Sequence, residues 1–302
     1  TSKVKNMSLT FANATSFAGD ISSWDTGLVE DLFKAFDHAA AFNSDISGWN
    51  VSSVTTLWST FHNASSFNVN LSPWQTSSVI DFESCFENAA IYNQPLNSWN
   101  TAASKIMSSM FQGATAFDQA LDSWVTSSVE RFDYMFADAT SFNQPLSTWD
   151  TSKATTMQGM FSGATSFDQP LPWTTSEVED MDELFLDTKF NNDLSSWDTK
   201  SLTSMRLMFA NNKAFNSPMN FDTSNVENIA GAFLNAISFN QSLADWDTGG
   251  VKDMRSLFFN ATAFQETLCW ELNNAVRVDD MFCGSQGSFN DSCVSLKGLV
   301  DK

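Results

Sequence analysis

The chain has 302 residues, 42% of them hydrophobic, and a formal net charge of −20 from 35 acidic and 15 basic side chains. That length suits two average domains or one long repeat array, and the apolar content speaks against disorder. An acidic surface without a basic patch repels nucleic acid and anionic lipid, and no apolar run reaches the roughly 18 residues of a membrane-spanning helix.

The chain opens in mid-pattern with TSKVKNMSLTF, without an initiator methionine or a signal peptide. It reads as a mature or trimmed piece of something longer. The 28 Phe and 11 Trp need a regular place in the fold, and the sequence supplies one. Trp stands at 24, 49, 74, 99, 124, 149, 173, 197, 246 and 270, with Phe221 filling the gap, always 24 or 25 residues apart. A Phe follows each marker at the same distance, from Phe36 and Phe61 to Phe258 and Phe282, and Phe11 begins the series. A second aromatic column runs from Phe17 through Tyr92 to Phe289, and an aliphatic column from Ile21 to Leu268 precedes the Trp. A fixed period of this kind is the signature of a stacked repeat architecture.

Within one repeat, FNQPLSTWDTSKATTMQGMF (142–161), the elements follow in order. The stretch before Trp is short and extended, and its recurrent prolines (Pro95, Pro145, Pro170) limit it to a brief strand of three or four residues between the aliphatic residue and Trp. The Asp-Thr-Ser after Trp resembles a helix start. Val129, Phe132, Met135 and Phe136 then recur at three- and four-residue spacing, which predicts about two turns of helix with one apolar face. No repeat can bury its own aromatics, so stacking builds the core. The expected fold is an α/β repeat solenoid of about 12 turns, each a short strand plus a short helix. It covers residues 1–268, and 269–302 form a divergent C-terminal capping repeat.

The pattern F-N-Q-x-L-x-x-W-D-T-S-x-V-x-x-M-x-x-M-F-x-x-A-x-x-F resembles the repeat of the BspA-like leucine-rich-repeat surface proteins, over about residues 4 to 290. The resemblance implies a leucine-rich-repeat-like right-handed array at a cell surface, with adhesion as its role. It carries over no catalytic residue and no cofactor.

The last repeat, CWELNNAVRVDDMFCGSQGSFNDSCVSLKGLVDK, loses the Asp-Thr-Ser and gains Cys269, Cys283 and Cys293. A disulfide between two of these three would close the exposed end, with Cys269–Cys283 ranked ahead of Cys283–Cys293. The cluster lacks a histidine, so no metal is expected there. Cys85, beside Phe86, reads as a buried free thiol. Sequons occur at Asn6, Asn13, Asn50, Asn63, Asn70, Asn240, Asn260 and Asn290. They are glycosylation candidates in a secreted protein, although a repeat rich in Asn, Ser and Thr generates sequons by chance.

Signals for chemistry are few. His38 and His62 fall in neighbouring repeats but in different columns, and read as solvated loop residues. The acidic run Glu177, Glu179, Asp180, Asp182, Glu183, Asp187 lacks a calcium-loop motif and reads as a wet helix face. The Asn column (Asn43, Asn68, Asn93, Asn143) reads as an amide ladder that satisfies turn backbone. The Thr column, including Thr76, Thr101, Thr126, Thr151 and Thr175, reads as helix caps or as a flat face for a glycan, mineral or ice. Phe33 and Trp58 share an off-core column that elsewhere holds Glu83, Asp133 and Arg206, and they suggest a contact patch. The expected function is non-enzymatic adhesion or scaffolding outside the cell. The partner would be a protein or surface, a larger assembly, or a preceding segment of the same chain.

Overall fold

The structure, a computed structural model, describes residues 3–272 and 275–290. Successive repeats are stacked in register by parallel bridges that run from Asn6↔Asp31 through Ile106↔Arg131 to Asp253↔Arg277. At the C-terminal end two short strands, β1 (Thr267–Leu268) and β2 (Ser288–Phe289), pair in parallel, Thr267 opposite Ser288 and Leu268 opposite Phe289.

Among the described residues there is no α-helix, which overturns the expected strand-plus-helix repeat of the leucine-rich-repeat type. The hydrogen bonds give the reason. Along one repeat the amides of Lys34, Phe36 and His38 donate to the carbonyls of Trp58, Thr60 and His62 in the next, at 3.0, 2.9 and 2.8 Å. The amides between them, from Ala35, Asp37 and Ala39, close tight turns onto Leu32, Lys34 and Phe36. A helix would commit every amide to a carbonyl four residues back and leave none for the neighbour. Here alternate amides join one repeat to the next, and the rest fold the chain into overlapping turns.

Those turns need left-handed backbone at two residues per repeat, such as Lys34 (φ 52°) and His38 (φ 57°). A tight turn with a positive φ at its third residue favours Gly or Asn there. Two residues after the Phe of each repeat stand Asn13, His38, Asn63, Asn88, Gly113, Asp138, Gly163, Asp187, Asn211, Asn235, Asn260 and Gly284, all with positive φ. Val129, Phe132, Met135 and Phe136 are fully buried as their spacing implies, but consecutive turns, not a helix, aim them inward.

The strand expected before Trp is also displaced. The aliphatic-to-Trp segment is itself a turn, with the Trp99 amide on the Leu96 carbonyl at 3.0 Å, while the bridges form after the Trp, at residues such as Asp31 and Thr56. Bridge residues with an oxygen side chain also fix the next turn: Asp31, Asp81 and Asp180 accept the amides of Phe33, Glu83 and Asp182.

The core is a set of aromatic columns. Neighbouring indoles stack nearly parallel with centroids 6.0 to 6.5 Å apart, as in Trp246–Trp270 and Trp173–Trp197. Within a turn the two Phe columns stack closer, at 4.0 Å for Phe61–Phe67 and Phe136–Phe142. Such offset stacks add to the burial of large rings. Each Thr after the Trp is buried and donates its hydroxyl to a carbonyl of the next repeat, as Thr126 does to Asp150 at 2.9 Å. It ties two repeats together where the sequence suggested a helix cap.

Candidate functional site

The Asn column forms the expected ladder. Asn43 Oδ1 accepts the amide of Asn68, Asn68 that of Asn93, and Asn143 that of Asp168, at 2.9 to 3.0 Å. Asp118 and Asp168 occupy the same column and continue it. Thr76, Thr101, Thr126, Thr151 and Thr175 are each at most 2% exposed. They therefore present no flat outer face.

Phe33 and Trp58 come together at the surface. Their ring centroids lie 4.8 Å apart with the planes tilted by 49°, and Trp58 is 40% exposed. Backbone geometry positions both: the Phe33 amide donates to Asp31 Oδ1 at 2.8 Å and the Trp58 amide to Thr56 Oγ1 at 3.1 Å. Lys34 Nζ sits 5.5 Å from the Phe33 ring centre, a cation–π contact on the rim of the pair.

The same two turns hold a grouping that the sequence reading kept apart. Asp37 Oδ1 lies 2.7 Å from Nδ1 of both His38 and His62. The rings meet edge to face at 5.0 Å, and Glu87 Oε1 lies 3.7 Å from His62 Nε2. Asp37 is buried, His62 partly so, and His38 is exposed. The signal was present in the register: Asp37, His62 and Glu87 each follow the Phe of their repeat, so stacking lines them up, and His38 is the neighbour of Asp37.

Other carboxylates are already engaged. Asp253 pairs with Arg255 and Arg277 at 2.8 and 2.6 Å, and Asp133 pairs with Arg131 at 3.0 Å. In the acidic run, Asp182 accepts from Ser204 and from the Arg206 amide, and Glu183 pairs with Arg206. Because no helix exists there, these residues line stacked turns. Cys85 is a buried free thiol, and burial pushes its pKa well up.

Cys283 is a free thiol exposed at the surface in the column after Phe282, so neither Cys269–Cys283 nor Cys283–Cys293 forms in this structure, while Cys269 is disulfide-bonded. Cys293 lies outside the described residues. Of the sequon asparagines, Asn6, Asn13, Asn50, Asn70 and Asn260 are exposed, and Asn63, Asn240 and Asn290 are half-buried. Asn6 and Asn260 use their side-chain amides on Asp31 and Asn235. No helix among the described residues is long and apolar enough to cross a membrane.

The family described as "Mycoplasma protein of unknown function, DUF285" matches residues 1–99, 90–189 and 186–295 in tandem. The chain belongs to this family. Each DUF285 match spans about four repeats of the stack, so the family unit is itself a multiple of the 24- to 25-residue turn. Neither a curated protein nor a solved structure matches the chain.

Proposed function

We propose that this DUF285 member is a non-enzymatic repeat protein of the cell surface or extracellular space. It holds a protein partner through its broad face, with Phe33 and Trp58 as the contact patch. The observation that carries this reading is the tilted aromatic pair itself, 4.8 Å between centroids, in a column that elsewhere holds charged, polar or small side chains. The repeat accounts for the recurring aromatic columns by burial, and it does not call for this adjacent pair. Exposed aromatics of this kind are the usual anchors of protein contacts. The BspA-like resemblance of the repeat supports a surface setting and adhesion. A reading as a glycan, mineral or ice binder loses support because the Thr column is buried.

The test uses the full chain immobilised on beads and presented to cells and to purified extracellular matrix proteins. Replacing Phe33 and Trp58 together by Ser should reduce capture at least tenfold while the thermal midpoint stays close to that of the native chain. Capture that is unchanged by the double substitution would remove the patch from the proposal.

A further inference from the structure

We infer that Asp37, His38 and His62 form a site for one divalent transition-metal ion of the zinc class. Their donor atoms all lie within 4.8 Å of one another. Zinc holds nitrogen and oxygen ligands at about 2.0–2.1 Å in a tetrahedron, so its ligand atoms stand roughly 3.4 Å apart. The carboxylate oxygen is now 2.7 Å from each Nδ1, and a small opening of this contact admits the ion.

Backbone bonds hold the anionic ligand in place: the Asp37 amide donates to Lys34 and its carbonyl accepts from Asn13, at 3.2 and 2.7 Å. The exposed His38 ring leaves one face of the site open, so water or a partner's side chain can take a fourth position. Coordination through Nδ1 moves the proton of each neutral imidazole to Nε2. For His62 that N–H then faces the Glu87 carboxylate, the outer partner that orients a metal-bound histidine. The Asn63 amide, near Nε2 of both rings, turns its oxygen toward them.

The fold does not require these residues. The column of Asp37, His62 and Glu87 holds Gln112, Ala137 and Ser162 in other repeats with the same backbone bonds. Two imidazole nitrogens and one carboxylate select zinc, copper, nickel or cobalt over calcium and magnesium, which take oxygen ligands. A net charge of −20 raises the local concentration of any cation.

The experiment titrates the full chain with Zn²⁺ and follows the imidazole nitrogens by long-range ¹H–¹⁵N NMR. The chain has 2 His, so both rings are resolved without ambiguity. One equivalent of Zn²⁺ should shift Nδ1 of both rings together, and Ca²⁺ at the same concentration should shift neither. Asp37→Asn keeps an oxygen for the local bonds and should weaken binding by more than tenfold. Glu87→Gln should weaken it by about tenfold. Should Asp37→Asn fail to fold, His38→Ala, at an exposed ring, must abolish the one-equivalent shift of His62. Rings that do not respond together, or zinc binding as tight in these ligand variants as in the native chain, would overturn the site.

Discussion

The indole N–H of Trp124 donates across 3.0 Å to the carbonyl of Leu96, one repeat earlier. The same carbonyl accepts the amide of Trp99 at 3.0 Å, so a single oxygen closes its own turn and anchors the following repeat. The arrangement recurs from Trp49 on Ile21 to Trp270 on Leu243, which is why the column is Trp and not simply aromatic.

Trp124→Phe should therefore lower stability by about 1 kcal/mol, the net worth of one buried hydrogen bond, because the Leu96 carbonyl keeps its other donor. Phe221 stacks on Trp197 at 6.4 Å, so the column itself accepts a Phe ring. Chemical denaturation of the two proteins checks this, and a loss several times larger would mean that indole packing, not the bond, matters most.

Tyr92 stands in a column of Phe, fully buried, and its hydroxyl has no hydrogen-bond partner. An unsatisfied buried hydroxyl costs about 1–3 kcal/mol, and here the rest of the ring stacks on Phe86 at 4.1 Å whether the hydroxyl is present or not. Tyr92→Phe should raise stability by about 1 kcal/mol or more. A decrease in the thermal midpoint would show that the hydroxyl is satisfied in solution.

The period, the aromatic columns and the Asn ladder were legible because each recurs wherever the stack needs it. The local backbone was not. Apolar residues three and four apart, such as Phe132, Met135 and Phe136, are produced equally by a helix and by overlapping tight turns. The residues that separate the two lie two before the Phe, inside the expected helix: Lys34, Ser59, Ser84, Ser109, Tyr134 and Gly159 hold left-handed backbone that no helix contains, and side chains so varied do not announce it. The Asp37–His62 contact was hidden for a different reason. Counted along the chain the two are 25 residues apart, and only the stacking register makes them neighbours.

Gly113 tests that backbone directly. Its φ is +66°, and a Cβ there would lie 2.2 Å from Asn88 Oδ1 in the preceding repeat. Gly113→Ala should cost at least about 1–2 kcal/mol, the penalty of left-handed backbone for a residue with a Cβ, with the clash added. Ser109, also left-handed at φ 56°, should gain stability on replacement by Gly. If Gly113→Ala melts with the native chain, the turn does not hold this conformation.

Asp81 gives the sign of one pH effect. Burial raises its pKa above the ordinary carboxylate value, against the opposing pull of the Glu83 amide and the Arg131 charge. A carboxyl whose folded pKa is raised favours the folded state while protonated, and that stability is lost as pH rises from the unfolded pKa through the folded one. At pH 7 the charged Asp81 therefore opposes folding. Asp81→Asn removes the charge and retains an oxygen for the Glu83 amide, now 2.9 Å away. The variant should be more stable than the native chain at pH 7, with the advantage shrinking as pH falls through the carboxylate range and vanishing below both pKa values. Thermal melts from pH 7 down to pH 3 measure this. An advantage that grows toward acid pH would show that Asp81 is stabilised as the anion, with Arg131 outweighing burial.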